Sequence, residues 1–384
     1  MNFFVSRRLS WLFAVAVLGL AQGCKPALPP VIKIGVAQPL TGNLASLGQD
    51  MLNGVKLAAD EINAHGFVVD GHPVTLEVVA VDDQADAEIG KAVARKLVDQ
   101  GVVAVIGHLN SGVSIAAAPI YAERHIAQLA ISTHPRYTAL GYATTFRLVA
   151  NDNLQSRAMG KYAAENFNST RFAVLDDGTP YGKNLAAGAT DQLRAAQKEI
   201  VVQQSFDDKT RDFDAVAARL KAAKVESVVT TLGDFQVAAL LEALQKVNYN
   251  QMRILGGDTL KSPLLLKNPN VPPGKLFATS GILEPADFRN SKVFVDTYRA
   301  KYRQDVAYAA HYTYDAMQQL AVAIRTARSS DPERIAAALR QVDSYVPVTG
   351  YMKWDLAGEQ TYGAVAVYKI RDSRWESQVR SDRW

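Results

Sequence analysis

The stretch VIKIGVAQPLTGNLASLGQDMLNGVKLAADEINA, residues 31–64, carries two hydrophobic periods back to back. Residues 31–37 form a short, β-branched apolar run, the mark of a buried strand. Over residues 45–64 the apolar positions are Leu47, Met51, Leu52, Val55, Leu57, Ala58 and Ile62, a spacing that fits a 3.6-residue repeat and predicts a helix laid back on that strand.

The same unit recurs outward from it. Residues 74–81 read as a strand and 86–100 as a helix; 102–106 and 111–124 repeat the pair, and 128–132 adds a further strand. Strands that alternate with helices predict an α/β fold, a doubly wound parallel sheet covered on both faces. After Asn151 the rhythm restarts, with helices expected at 154–167, 182–196, 213–223 and 235–247 and strands at 171–175, 200–204, 227–231 and 253–256. This is a second lobe of similar design, and 384 residues are more than one core ordinarily supports. Past Pro272 and Pro273 come a strand at 276–280 and helices at 291–302, 307–328 and 332–341, more helices than the second lobe needs. Further strands are expected near 362–370.

At the N-terminus, Arg7 and Arg8 precede an apolar run over 9–20 and then Ala21-Gln22-Gly23-Cys24. A basic flank, an apolar run too short for a comfortable span and small residues after it predict a signal peptide over 1–23 and export. Cys24 is the only cysteine, so no internal disulfide is available. The lone cysteine after small residues resembles a bacterial lipoprotein box, which makes Cys24 the expected lipidation site. Ordinary cleavage after Ala21-Gln22-Gly23 is the alternative. Residues 24–30 read as a stiff, Pro-rich tether.

The 42 Lys and Arg nearly balance 38 Asp and Glu, and no concentrated basic face argues for nucleic acid as a partner. The six His are scattered without metal-ligand spacing, and no nucleophile elbow, P-loop or Rossmann fingerprint is present. The expected class is binding, with no catalytic residue, metal or cofactor.

Doubly wound sheets place ligands beyond the carboxyl ends of their strands. Ser111 stands there, after Gly107-His108-Leu109-Asn110 and at the start of a helix, where free N–H groups and the helix dipole favour a carboxylate. Helix capping by Asn110 or Ser111 is the competing role. Ile131-Ser132-Thr133 repeats the arrangement one strand later. In the second lobe Tyr181 opens a helix, and Asp234 and Asp258 each follow a strand, so that either carboxylate can receive an ammonium. Capping competes strongly at Asp234 and weakly at Asp258, where no clear helix follows. Neutral donors in one lobe and acidic and aromatic groups in the other suit a zwitterionic amino acid.

The stretches Ile34-Gly35-Val36-Ala37-Gln38-Pro39-Leu40-Thr41-Gly42, Leu47-Gly48-Gln49-Asp50 through Gly54-Val55-Lys56-Leu57-Ala58, Asp82-Asp83-Gln84-Ala85-Asp86, Val105-Ile106-Gly107-His108 and Tyr181-Gly182 resemble the branched-chain amino-acid binding proteins of ABC transporters, with a type I periplasmic-binding-protein (Venus flytrap) fold. The likeness implies two lobes with several crossings: 31–149 plus 281–349, and 150–280 plus 350–384. It implies Ser111 and Thr133 on the ligand carboxylate with help from the backbone of Ile131 or Ser132, and Tyr181 and Asp258 on the ammonium. It further implies a monomer in the periplasm that captures an amino acid, branched-chain or otherwise apolar, and delivers it to an ABC permease. Leu47, a further candidate ligand contact, stands near Gly48 at a position that is Tyr in some relatives, Asp234-Phe235 replaces a second-lobe Tyr that helps hold the ammonium, and Asn110 stands where some relatives have a disulfide cysteine. A sensory or regulatory protein for a small amide or amino-acid derivative is the alternative reading.

Overall fold

In the computed structural model, which describes residues 28–383, the first sheet is built from β1 (Val31–Gln38), β2 (Thr75–Asp82), β3 (Ala104–Gly107), β4 (Ala127–Ala130) and β5 (Thr145–Arg147). Their spatial order is β2-β1-β3-β4-β5 and every pairing is parallel. The leader, Cys24 and most of the tether lie outside the described residues. The helix expected at 45–64 spans Ala45–Ala64 and buries Leu47, Met51, Leu52, Val55, Leu57, Ala58 and Ile62.

The second sheet contains β6 (Arg171–Asp176), β7 (Glu199–Ser205), β8 (Ser227–Thr230), β9 (Arg253–Gly256) and β10 (Leu276–Ser280). After a separate hairpin of β11 (Asp343–Val346) and β12 (Gly350–Lys353), the sheet is completed by β13 (Ala366–Arg371) and β14 (Arg374–Arg380). The order is β14-β13-β10-β9-β8-β6-β7, with β13 antiparallel to both β14 and β10 and every pairing from β10 to β7 parallel. Side-chain caps set several helix starts: Asp86, Asn151, Thr179 and Asp331 each accept backbone N–H groups of the turn that follows, which relieves donors with no partner inside the helix.

The helices Ser291–Tyr302, Ala310–Ala327 and Pro332–Leu339 return to the first sheet. Tyr298, Met317, Leu320, Ile324 and Ile335 share a core with Ile32, Ile34 and Val55. Entry into the second lobe at residue 350 proves too early. Met352 and Trp354 are 1% and 3% exposed inside the first lobe's core, and the chain reaches the second sheet only at Ala366.

The three crossings between lobes meet at one spot. A Cβ placed on Gly281 would lie 3.1 Å from the carbonyl oxygen of Ala150, and one on Gly363 would lie 2.8 Å from the Ala150 amide nitrogen.

Helix Ala45–Ala64 approaches helix Ala310–Ala327 so closely that a Cβ on Gly54 would stand 2.1 Å from the Ala310 carbonyl oxygen and 2.6 Å from Thr313 Oγ1. Backbone cannot yield as a flexible side chain does. Gly54→Ala is expected to cost about 1–3 kcal/mol in urea unfolding, the usual range for overpacking. A loss below about 0.5 kcal/mol would mean that the two helices part freely.

Candidate functional site

Between the lobes, beyond the carboxyl ends of both sheets, lies a cavity of about 930 Å³. Its first-lobe wall includes Asn110, Ser111, Gly112, Ile131 and Thr133, and its second-lobe wall Tyr181, Phe235 and Asp258. Across the mouth, Arg211 donates to Asn43 Oδ1 and lies over the Phe235 ring, 4.8 Å from its centroid. The two lobes therefore touch in front of the cavity.

Ser111 begins the helix Ser111–Ala122, whose first hydrogen bond runs from Ser114 N to Asn110 O. Capping does not occupy this terminus: Asn110 makes no side-chain cap, and Ser111 Oγ accepts instead from His134 N at 3.3 Å. The loop is fixed from below by His108, which is fully buried with Nδ1 2.7 Å from Asp83 Oδ2 and Nε2 3.2 Å from the Tyr121 hydroxyl. Thr133 is 4% exposed and its carbonyl accepts from Asp152 N at 2.8 Å.

On the other wall, the Tyr181 hydroxyl donates to Asp258 Oδ2 at 3.2 Å and accepts from Asp258 N at 3.0 Å. Ser280 Oγ donates to Asp258 Oδ1 at 2.7 Å and Gly281 N at 3.0 Å. Burial pushes the Asp258 carboxyl above the usual carboxylate range even though these donors pull it down. Burial and the Asp258 charge drive the Tyr181 phenol well above its ordinary value. A buried anion whose donors do not offset its desolvation is an acceptor for a cation.

Five expected residues, Ser111, Ile131, Thr133, Tyr181 and Asp258, thus come together on one cavity. Three others do not. Leu47 is 1% exposed in the first lobe's core, on the inward face of its helix. Ser132 is fully buried behind the wall, with its carbonyl accepting from Arg147 Nη1. Asp234 sits at the first turn of helix Asp234–Lys246, where its Oδ1 accepts from Phe235 N at 2.7 Å while Gly233 and Phe235 face the cavity. Asp258, expected in a stretch without a helix, opens the short 3-10 turn Asp258–Leu260.

Two residues were not anticipated. Tyr308 lines the cavity from a turn held by Asp50, whose fully buried carboxylate accepts from Tyr298 Oη and from the N–H groups of Ala307, Tyr308 and Ala310. No local pattern marks it. Asp152 is fully buried behind Thr133, and burial with the Asp258 charge pushes its carboxyl up to about 7; a helix start preceded by the capping residue Asn151 hides it as an ordinary first-turn acid.

The Asp152 shift carries a pH dependence. The folded chain keeps a proton that the unfolded chain loses above 3.8, so this contribution to stability is full below 3.8 and disappears as pH rises through about 7. Asp152→Asn is expected to raise the melting temperature over wild type at about pH 8, and the gain should shrink toward about pH 5. The same gain at both values would assign it to something other than this proton.

Among the described residues no cluster of His, Cys, Asp or Glu is arranged to hold a metal, and no helix is long and apolar enough to cross a membrane. Comparison with known proteins agrees with the fold. The Leu/Ile/Val-binding protein homolog 2 of Brucella abortus is 32% identical over 341 residues, which cover 88% of this chain and 90% of the relative. The leucine-, isoleucine-, valine-, threonine- and alanine-binding protein of Pseudomonas aeruginosa is 29% identical across 98% of this chain and 99% of its own. A solved ABC transporter substrate-binding protein from Desulfitobacterium hafniense, in complex with Leu, superposes with a TM-score of 0.73 at 27% identity and covers 91% of this chain and 100% of that one. The family model for periplasmic binding proteins matches residues 31–374, and the chain belongs to that family.

Proposed function

We propose that the protein captures a free α-amino acid between its lobes, outside the cytoplasm, and presents it to the membrane subunits of an ABC importer. The observation that carries this reading is the polarity of the cavity: the open N-terminus of helix Ser111–Ala122 and Thr133 line one wall, and the Asp258 carboxylate with Tyr181 lines the other. A carboxylate is favoured at the first and an ammonium at the second. The two groups of an α-amino acid are held on one carbon, so only a ligand spanning the closed cavity satisfies both walls. Binding then favours the closed arrangement by its differential affinity for it, and the closed shape is what the permease reads. The relatives' names, which mention leucine, isoleucine and valine and in one case also threonine and alanine, support the class.

A thermal-shift series tests the reading, because a ligand that binds only the folded state raises the melting temperature. L-amino acids should stabilise, while their des-amino acids and decarboxylated amines should not. Stabilisation by acids that lack the ammonium would remove Asp258 from the site.

The protein acts as a monomer, and acylation of Cys24 holds it at the membrane surface. Replacing Cys24 by Ala should then release it from the membrane fraction.

A further inference from the structure

We propose that Arg211 is a positioning residue that latches the closed form through Asn43 and so sets how long a captured ligand stays, without touching the ligand. The proposal goes beyond the amino-acid reading of the cleft and rests on it only for the choice of probe.

Arg211 stands in the second lobe, in the loop between β7 and the helix Asp214–Ala222. That loop is braced from within its own lobe. Gln236, 1% exposed, donates through Nε2 to Asp207 O at 3.0 Å while its Oε1 accepts from Gly233 N at 2.9 Å. Thr210 N donates to Asp207 O at 3.0 Å, and beneath the loop the rings of Phe206 and Phe213 pack with centroids 4.9 Å apart. The Arg211 guanidinium rests on Phe235, another second-lobe residue. Its bond to Asn43 Oδ1 reaches the first lobe, on a turn that Asp82 holds by accepting from Leu40 N and Thr41 Oγ1. Of these contacts only the bond to Asn43 joins the lobes, so it alone is made on closure and broken on opening.

Exposed polar pairs ordinarily contribute little, because ordering two long side chains offsets the gain. Here the guanidinium is already ordered on the Phe235 ring and Asn43 is short, so closure loses less freedom than usual. The neighbouring charges do not decide the matter: Asp86 on the first lobe feels both Lys209, which attracts it, and Asp208, which repels it. A contact made only in the closed form favours that form by its own strength. A ligand enclosed by both lobes leaves through the open form, so the latch slows release and leaves capture by the open form alone. Affinity differences among variants of one site fall mostly in the dissociation rate.

Stopped-flow fluorescence with L-leucine, L-valine and L-threonine as probes tests this. Arg211→Ala and Asn43→Ala should each speed dissociation about three- to tenfold, the worth of one hydrogen bond to a charged group, and association should not slow. The double variant should release no faster than Arg211→Ala alone, since the same bond is lost in both. An unchanged dissociation rate in either single variant, additive effects or slower association would overturn the proposal. If none of the three probes binds the wild-type protein, the amino-acid reading falls instead. The latch is then read without ligand, from the distance between spin labels at the exposed Glu88→Cys and Glu242→Cys in a Cys24→Ala background. The closed share should drop in both variants, and an unchanged share would overturn the proposal.

Discussion

Asp258→Asn is expected to weaken amino-acid binding by about a hundredfold or more, because it removes the buried negative charge and little else. The Asn keeps the shape of the side chain, and its carbonyl can still accept from Ser280 Oγ and Gly281 N, the partners of Oδ1. What it cannot do is balance an ammonium. Truncating one partner of a buried, hydrogen-bonded charge pair costs about 2–5 kcal/mol, and a hundredfold corresponds to about 2.7 kcal/mol. The ligand-free variant should melt no lower than wild type near neutral pH, since burial already pushes the Asp258 carboxyl toward its neutral form. For the same reason wild-type affinity should fall as the solution is acidified through that raised value, because a protonated Asp258 offers no charge. Calorimetry across pH measures both effects. Undiminished affinity in the variant would pass the ammonium to Asp152, the other buried carboxylate that feels the Asp258 charge.

The largest stability effect is expected at Arg147. This side chain is fully buried and grips Glu359 with both ends of its fork, Nε to Oε2 and Nη2 to Oε1 at 2.9 Å each. Its other bonds go to the carbonyls of Ser132 and His134, on either side of Thr133, and to Thr138 Oγ1 at 3.0 Å. Glu359 also accepts from Asn151 Nδ2 at 3.2 Å. Burial raises the Glu359 carboxyl, but the bonds from Arg147 outweigh it and hold the group below its usual range. Arg147→Met takes two bonds from this carboxylate and leaves the Ser132 carbonyl without its donor, and breaking a buried pair from one side costs about 3–5 kcal/mol. Glu359 is 25% exposed on its side chain, so water recovers part of the loss and the lower end is expected. Urea unfolding of Arg147→Met, Glu359→Gln and the double variant should show strong coupling. Ligand affinity should fall in Arg147→Met as well, since the Thr133 turn loses its brace. Additive single effects would mean that the pair is not a unit.

Both partners of that brace show what the sequence discloses and what it conceals. The alternating strands and helices of both lobes are legible because period and β-branching are local properties, and helix Ala45–Ala64 falls where its apolar spacing puts it. Strand β5 is three residues long, too short for a period. Strand β14, Arg374-Trp375-Glu376-Ser377-Gln378-Val379-Arg380, is an exposed edge whose composition is polar, so nothing in it announces a strand. The cavity residues that end strands, Ser111, Thr133 and Asp258, are legible from position. Leu47 and Asp234 show the limit of that argument: residues in the right segment turn into the core or into the first turn of a helix, and a one-residue difference decides which face they take. Arg147, Asp152 and Tyr308 escape notice because their partners lie far along the chain.

The convergence of Ala150, Gly281 and Gly363 makes the joint between the lobes scarcely wider than a residue. A joint so narrow works like the rivet of a pair of callipers: the jaws share one axis, and a slight turn there is magnified at the tips, where Arg211 meets Asn43. Asp258 is fastened to the rivet itself through the Gly281 amide. On the proposed reading, the charge of the cargo is felt at the axis, where the least displacement has the longest reach.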